Sequence, residues 1–247
     1  MDTGFYLAGS AADLRRQLSM DQIANNLANI NTVGFKADQN AFSTKLTDQM
    51  RSSGNHQQPT AYLAAGKHFV DTSEGVIRQT ENPLDFALQG DGYFRVQQQD
   101  GSEAYTRAGN FTLDGDSTLI TQSGLPVLDI NGAPITIPSG NLSASHDGVL
   151  SVNGNKVATL GVVQINDPRL MSKRAGTLFV TDLNNVTRER PANTIIAHGA
   201  VEQSNVNAVL SMAKMVDVTR SFQNMMKIVE IYNQQASQLT EKVARVG

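Results

Sequence analysis

The chain has 247 residues, 40% hydrophobic and 17% charged, with a formal net charge of -3. That length buries a core in one or two domains, and so weak a negative charge gives no electrostatic reason to bind nucleic acid. Cysteine is absent, which excludes disulfides and thiolate chemistry. No apolar run nears the ~20 residues of a spanning helix, so direct membrane insertion is not expected.

The N-terminus, MDTGFYLAGSAADLRRQ, lacks a basic start followed by an apolar stretch, so no Sec-type signal peptide is expected. Leu7, Ala11, Leu14 and Leu18 mark one helical face, and Met20, Ile23, Leu27 and Ile30 continue a stripe. Four asparagines, Asn25, Asn26, Asn29 and Asn31, crowd that stripe, although their amides compete for backbone groups and make poor helix formers. Gly34 stands where a stop is needed, which gives a helical segment over 1–35. Residues 36–70, with MRSSGNHQQPT, read as an extended linker.

From 71 to 198 the pattern changes. Asp91-Gly92, Asp100-Gly101, Asp114-Gly115, Asn131-Gly132, Asp147-Gly148 and Asn153-Gly154 punctuate strand-like runs such as YFRV, AYTRAGNFTL and VATLGVVQI. Asn-Gly and Asp-Gly between β-branched and aromatic residues signal hairpins, so this part predicts a mostly antiparallel β domain. The last segment, 199–247, is different again. Between Ala200 and Val246 there is neither glycine nor proline, so both strong helix breakers are missing. Ala208, Met215, Phe222, Val229, Ala236 and Val243 recur every seventh residue, and Ser211, Val218, Met225, Tyr232, Leu239 and Val246 form the companion series. A helix from Ser204 to Val246 would be roughly 65 Å long. The expected fold is therefore α+β: long N- and C-terminal helices pairing as a coiled coil, with the β domain inserted between them. The other reading of the same stripes has both helices packed on the flank of a globular core.

No catalytic set emerges. His56, His68, His146 and His198 are scattered without metal-ligand spacing, and there is no GxSxG elbow. LQGDGYF lacks the residues that complete a phosphate loop, and LDGDSTL lacks the later ligands of a calcium loop. Asp85 and Asp91 are accounted for by strand and turn positions. The pairs Arg15-Arg16 and Lys173-Arg174 read as solvated faces. The expectation is a protein that is not an enzyme, with no cofactor, no metal and no nucleic-acid partner.

Four stretches in order carry a resemblance. ANNLANINTVGFK (24–36), NPLDFALQGDGYFRV (82–96), YTRAGNFTLDGDSTLITQSGLPVL (105–128) and VEQSNVNAVLSMAKMVDVTRSFQ (201–223) resemble the signatures of the bacterial flagellar axial proteins, the rod and hook components of the basal body. The set covers both termini and the centre. The short connection after the first helix looks most like the proximal-rod members, with distal-rod members the nearest alternative. The resemblance implies a structural subunit of a helical drive shaft that carries motor torque across the periplasm. It implies as partners further copies of the chain, neighbouring rod proteins and the flagellar type III export apparatus. The residues expected at subunit contacts are Leu14, Leu18, Ile23, Asn25, Asn26, Leu27, Asn29, Ile30, Thr32, Gly34 and Phe35 at the N-terminal end. At the C-terminal end they are Ser204, Asn205, Val206, Met215, Val218, Phe222, Met225, Val229, Tyr232 and Leu239. The asparagines are expected to set register between helices of different subunits, since their amides both donate and accept. Thr32, Gly34 and Phe35 are expected to turn the chain into the next layer. Outside the family, a β-rich surface adhesin or binding module fits the hairpins but does not need heptads at both ends, and a small hydrolase lacks its nucleophile.

Overall fold

The structure is a computed structural model that describes residues 3–45, 62–174 and 176–244. The described residues contain two α-helices, α1 (Thr3–Ala28) and α2 (Ala208–Ala244), with a strand-rich chain between them. Two compact units result. One is built from Ala28–Ala41 and Lys67–Val206, the other from the described residues of 1–27, 42–66 and 207–247.

The first unit is organised by a six-stranded sheet. Its strands, in spatial order, are Ser172–Arg174, Leu178–Val180, Glu103–Thr106, Tyr93–Gln97, Val162–Ile165 and Val186–Thr187, each antiparallel to its neighbour. Successive side chains point to opposite faces of a strand, and this sheet is covered on both. Phe94, Val96, Ala104, Val162 and Leu178 enter the main core with Phe86, Phe111, Leu119, Leu150 and Ile196. Their neighbours Tyr93, Tyr105, Val163 and Phe179 form a second core with Ile165 and Met171. Double-sided burial explains why YFRV and GVVQI are nearly continuous apolar runs, not alternating ones.

The run AYTRAGNFTL does not form one strand. It breaks after Thr106, and a short strand resumes at Thr112–Leu113. The Thr106 hydroxyl accepts the Ala108 N–H at 3.0 Å, and a side chain on Gly109 would sit 1.7 Å from the Phe86 carbonyl oxygen, so the backbone itself presses into the core there. The Asn153-Gly154 pair turns the hairpin between Val149–Val152 and Asn155–Thr159, with φ of 52 and 86, the positive pair that a tight two-residue turn demands. Two further ladders bring the chain back: Ile195–His198 pairs with Phe86–Gln89, and Ala200–Glu202 pairs with Ile77–Gln79.

Within 36–70 the chain forms strands β1 (Asp38–Lys45) and β2 (Tyr62–Val70), which pair as a two-stranded sheet. Residues 46–61, which include all of MRSSGNHQQPT, lie outside the described residues.

The structure corrects the expected coiled coil. Two separate helices are present, and among the described residues no extended packing joins α1 to α2. Among the described residues neither hydrophobic core contains a side chain from α1 or α2. No described side chain of α2 is buried. Along the heptad seam Met215, Val218 and Met225 are half-buried, while Phe222 and Val229 are 47% and 37% exposed. A closed seam would bury all five. The physical reason is that a heptad repeat shows a helix needs a partner without saying that the partner lies in the same chain. Apolar residues of α2 also fall off the seam, at Leu210, Ile228 and Ile231, which one facing helix cannot cover. What starts α2 is local: the Asn207 side chain accepts the Leu210 N–H at 2.9 Å, an N-cap.

Candidate functional site

The chain leaves α1 and returns toward α2 through the same small region of the strand-rich unit. After α1 the backbone turns over Asn29 to Phe35, with the Thr32 N–H on the Asn29 carbonyl at 3.1 Å, the Thr32 hydroxyl on the Asn29 side chain at 3.1 Å, and the Phe35 N–H on the Thr32 carbonyl. Gly34 has φ +67, and a Cβ there would lie 2.2 Å from the backbone nitrogen of Ala108. Only glycine meets both conditions. Its N–H donates to the Glu202 carbonyl at 2.7 Å. Outgoing and returning segments are thus bonded backbone to backbone.

Three buried charges stand at this crossing. Lys36, Arg107 and Glu202 are 0%, 3% and 1% exposed. The Lys36 ammonium donates to Glu202 Oε1 at 2.6 Å and to the Ser73 carbonyl at 2.6 Å. Arg107 donates to Glu202 Oε2 at 3.2 Å and to the Gly90 carbonyl at 2.8 Å, with its guanidinium 5.1 Å from the centre of the Tyr93 ring. Glu202 also accepts the Gly75 N–H at 2.8 Å. One carboxylate therefore serves two cations and a backbone donor. Burial pushes the Lys36 pKa below its ordinary value, against the pull of the Glu202 charge and hydrogen bond, and the neighbouring Arg107 pushes it the same way as burial.

Two more groups lock the crossing. Asn205 accepts the Ala37 N–H at 2.7 Å and donates to the carbonyls of Asp71 and Ser73 at 3.0 and 3.1 Å, so one side chain ties three segments. Lys173 sits 3.5 Å over the ring of Phe35, itself 1% exposed, and donates to the Lys36 carbonyl at 2.8 Å and to both Asp38 oxygens. Burial lowers its pKa as well, with Asp38 opposing.

Of the residues singled out from sequence, Gly34, Phe35 and Asn205 meet in this cluster, with Thr32, Ser204 and Val206 half-buried at its edges. The others lie elsewhere. Leu18, Ile23, Leu27 and Ile30 are half-buried, Asn26 is buried, Asn25 is exposed and Asn29 is half-buried. Met215, Val218, Phe222, Met225 and Val229 lie along α2. Leu14, Tyr232 and Leu239 belong to the helices, but their side chains are outside the described residues. Sequence reasoning missed Lys36 as a site residue, along with Arg107, Glu202, Gly75 and Lys173. The available signal was a single Glu closing the apolar strand Ala200–Glu202, opposite Ile77 in the ladder.

Each ion of the cluster is bonded to protein groups, although the Arg107 Nε is buried without a hydrogen-bond partner. Among the described residues no group of three or more His, Cys, Asp or Glu is placed to hold a metal ion, and no helix is long and apolar enough to cross a membrane. The arrangement holds segments together.

Three family models match in chain order. Residues 5–36 match the flagella basal body rod protein model, 87–165 the flagellar hook protein FlgE/F/G D1 domain, and 197–241 the flagellar basal body rod FlgEFG protein C-terminal domain. The buried triad takes one charge from each: Lys36, Arg107 and Glu202. Similar proteins include the flagellar basal-body rod protein FlgF of Rhizobium meliloti (strain 1021), 33% identical over 234 residues that cover 91% of this chain and 90% of that one. FlgF of Mesorhizobium japonicum is 33% identical over 250 residues, covering 100% of this chain and 99% of the relative. FlgG of Bacillus subtilis (strain 168) is 32% identical, with 86% and 89% covered. The chain belongs to the family of flagellar basal-body rod proteins.

Proposed function

We infer that the chain is a FlgF-like structural subunit of the flagellar basal-body rod, built to carry mechanical load between its terminal helices and its strand-rich unit. The observation behind this reading is the buried Lys36–Glu202–Arg107 cluster at the crossing of the outgoing and returning segments. A subunit of a rotating shaft must pass torque through those two segments, and they are the ones held by Gly34, Glu202 and Asn205. The partners are further copies of the chain and neighbouring rod proteins, and the flagellar type III apparatus exports it. The role is structural, without catalysis.

The apolar residues of α2, with Leu18, Ile23, Leu27 and Ile30 at the other end, pack against helices of neighbouring subunits. Asn25, Asn26 and Asn29 set register there. Deleting the chain from its host and restoring it tests the role: detached basal bodies should contain it at the cell-proximal part of the rod. Basal bodies with a complete rod and no copy of the chain would overturn the reading. Replacing Asn25 and Asn26 together by Ala tests the register role. Motility should fall, and unchanged rod assembly and swimming would refute it.

A further inference from the structure

We propose that Met212 and Met226 form an oxidation-sensitive gate on assembly, with hydrogen peroxide as the oxidant. The inference rests on the reading of α2 as an assembly face. Four of the chain's eight methionines, Met212, Met215, Met225 and Met226, fall within 15 residues of α2. Met212 and Met226 are 53% and 54% exposed, and with Met215 and Phe222 they share one helix face by their spacing. Met171, by contrast, is 6% exposed inside the second core. The same thioether therefore occurs in one chain both open to solvent, on a face that needs partners, and sealed away.

The chemistry is balanced with peroxide alone. A lone pair of Sδ takes the terminal oxygen, the O–O bond breaks, an S–O bond forms and water leaves. The sulfur undergoes a two-electron oxidation and the peroxide is reduced. The product sulfoxide is polar and chiral where the thioether was apolar and adaptable, which disrupts methionine-rich contacts, and sulfoxide reductases reverse the change. A subunit oxidised before incorporation would present two strong dipoles on the face it must bury. Once incorporated, the same residues would be covered. The gate thus acts on free subunits and spares finished rods.

Two measurements test this. In the purified chain, peptide mass spectrometry during exposure to dilute peroxide should find sulfoxide at Met212 and Met226 roughly tenfold or more faster than at Met171. Equal rates would overturn the proposal. In cells whose own copy is deleted, a sublethal peroxide pulse during new flagellum assembly should lower new flagella several-fold with the wild-type chain, relative to the same strain untreated. With Met212→Leu/Met226→Leu that ratio should stay near one, since Leu is apolar, cannot be oxidised and is as good a helix former as Met. Equal peroxide ratios in the two strains would refute the gate. Met212→Leu alone provides a second variant should the double variant fail to fold, with a ratio between the two. Failure of the untreated wild-type chain to restore flagella would instead count against the rod-subunit reading.

Discussion

Replacing Glu202 with Gln should destabilise the strand-rich unit by about 3–5 kcal/mol, the range for breaking a buried ion pair from one side. The structure shows why the loss is large and what limits it. Without the carboxylate, Lys36 and Arg107 remain buried at 0% and 3% exposure as two like charges. Arg107 keeps the Gly90 carbonyl and the Tyr93 ring but cannot deprotonate. Lys36 can. Burial already lowers its pKa from 10.5, and at about 1.4 kcal/mol per pH unit its neutralisation caps its share near 5 kcal/mol at pH 7 and near 2 kcal/mol at pH 9. In the variant, with the Glu202 charge gone, the native state binds the Lys36 proton more weakly than the unfolded chain does. Stability then rises with pH, because the unfolded state binds more protons. The deficit against wild type should therefore shrink between pH 7 and 9. Lys36→Met makes the contrast. It removes one of two cations from a single anion and leaves Glu202 bonded to Arg107 and Gly75. The Ser73 carbonyl keeps the Asn205 amide, and the new side chain has similar volume. Its cost should be about 1–2 kcal/mol. Urea denaturation of the two variants at both pH values measures all of this. A Lys36→Met loss as large as that of Glu202→Gln, or a Glu202→Gln deficit that does not change with pH, would refute the account of one carboxylate serving two cations.

Gly34→Ala should cost about 3 kcal/mol or more, because it combines a left-handed backbone with a Cβ pressed against the Ala108 nitrogen. Gly124→Ala, with φ +79 but open space around it, should cost only about 1 kcal/mol; thermal melts of the pair separate the clash from the backbone strain. Asn205→Ala leaves the Ala37 N–H without its acceptor and removes the donor to Asp71 and Ser73, a loss of about 2–3 kcal/mol. Hydrogen exchange should show Ala37 losing protection first. In alkali, the Tyr105 phenol is pushed from 10.0 to about 12, chiefly by burial and then by the Glu103 charge. Its pKa is raised in the folded state, so the native protein keeps a proton that the unfolded chain releases, and stability present below pH 10 falls as pH rises from 10 to 12. Tyrosinate absorbance followed beside unfolding checks the order: Tyr105 should ionise only as the second core opens.

The parts legible in the sequence were those whose cause is local. Asn153-Gly154 turns where it does because two successive positive φ values are needed, and those two residue types tolerate them. Helix α2 is uninterrupted because nothing in its sequence breaks it. Gly34 could be placed as a stop, although its closest constraint, the backbone of Ala108, lies far along the chain. What could not be read was partnership. Heptad spacing in α2 records an unmet need for apolar cover, and the same record is written whether the cover comes from α1 or from another molecule. The charges at the crossing posed the opposite problem. Lys36, Arg107 and Glu202 look like surface residues one at a time; each cation is tolerable inside because Glu202 is there, and Glu202 because it is paired with both. They come from positions separated by 71 and 95 residues or more, so no window of sequence contains the pairing that justifies them. Burying two cations on one carboxylate leaves an uncompensated charge that a hydrophobic trio would avoid. That cost is best understood through geometry: apolar contacts tolerate sliding, whereas Glu202 held by Lys36, Arg107 and Gly75 has one position that satisfies all three. For a crossing that must keep two segments in fixed register under load, that uniqueness is the property gained.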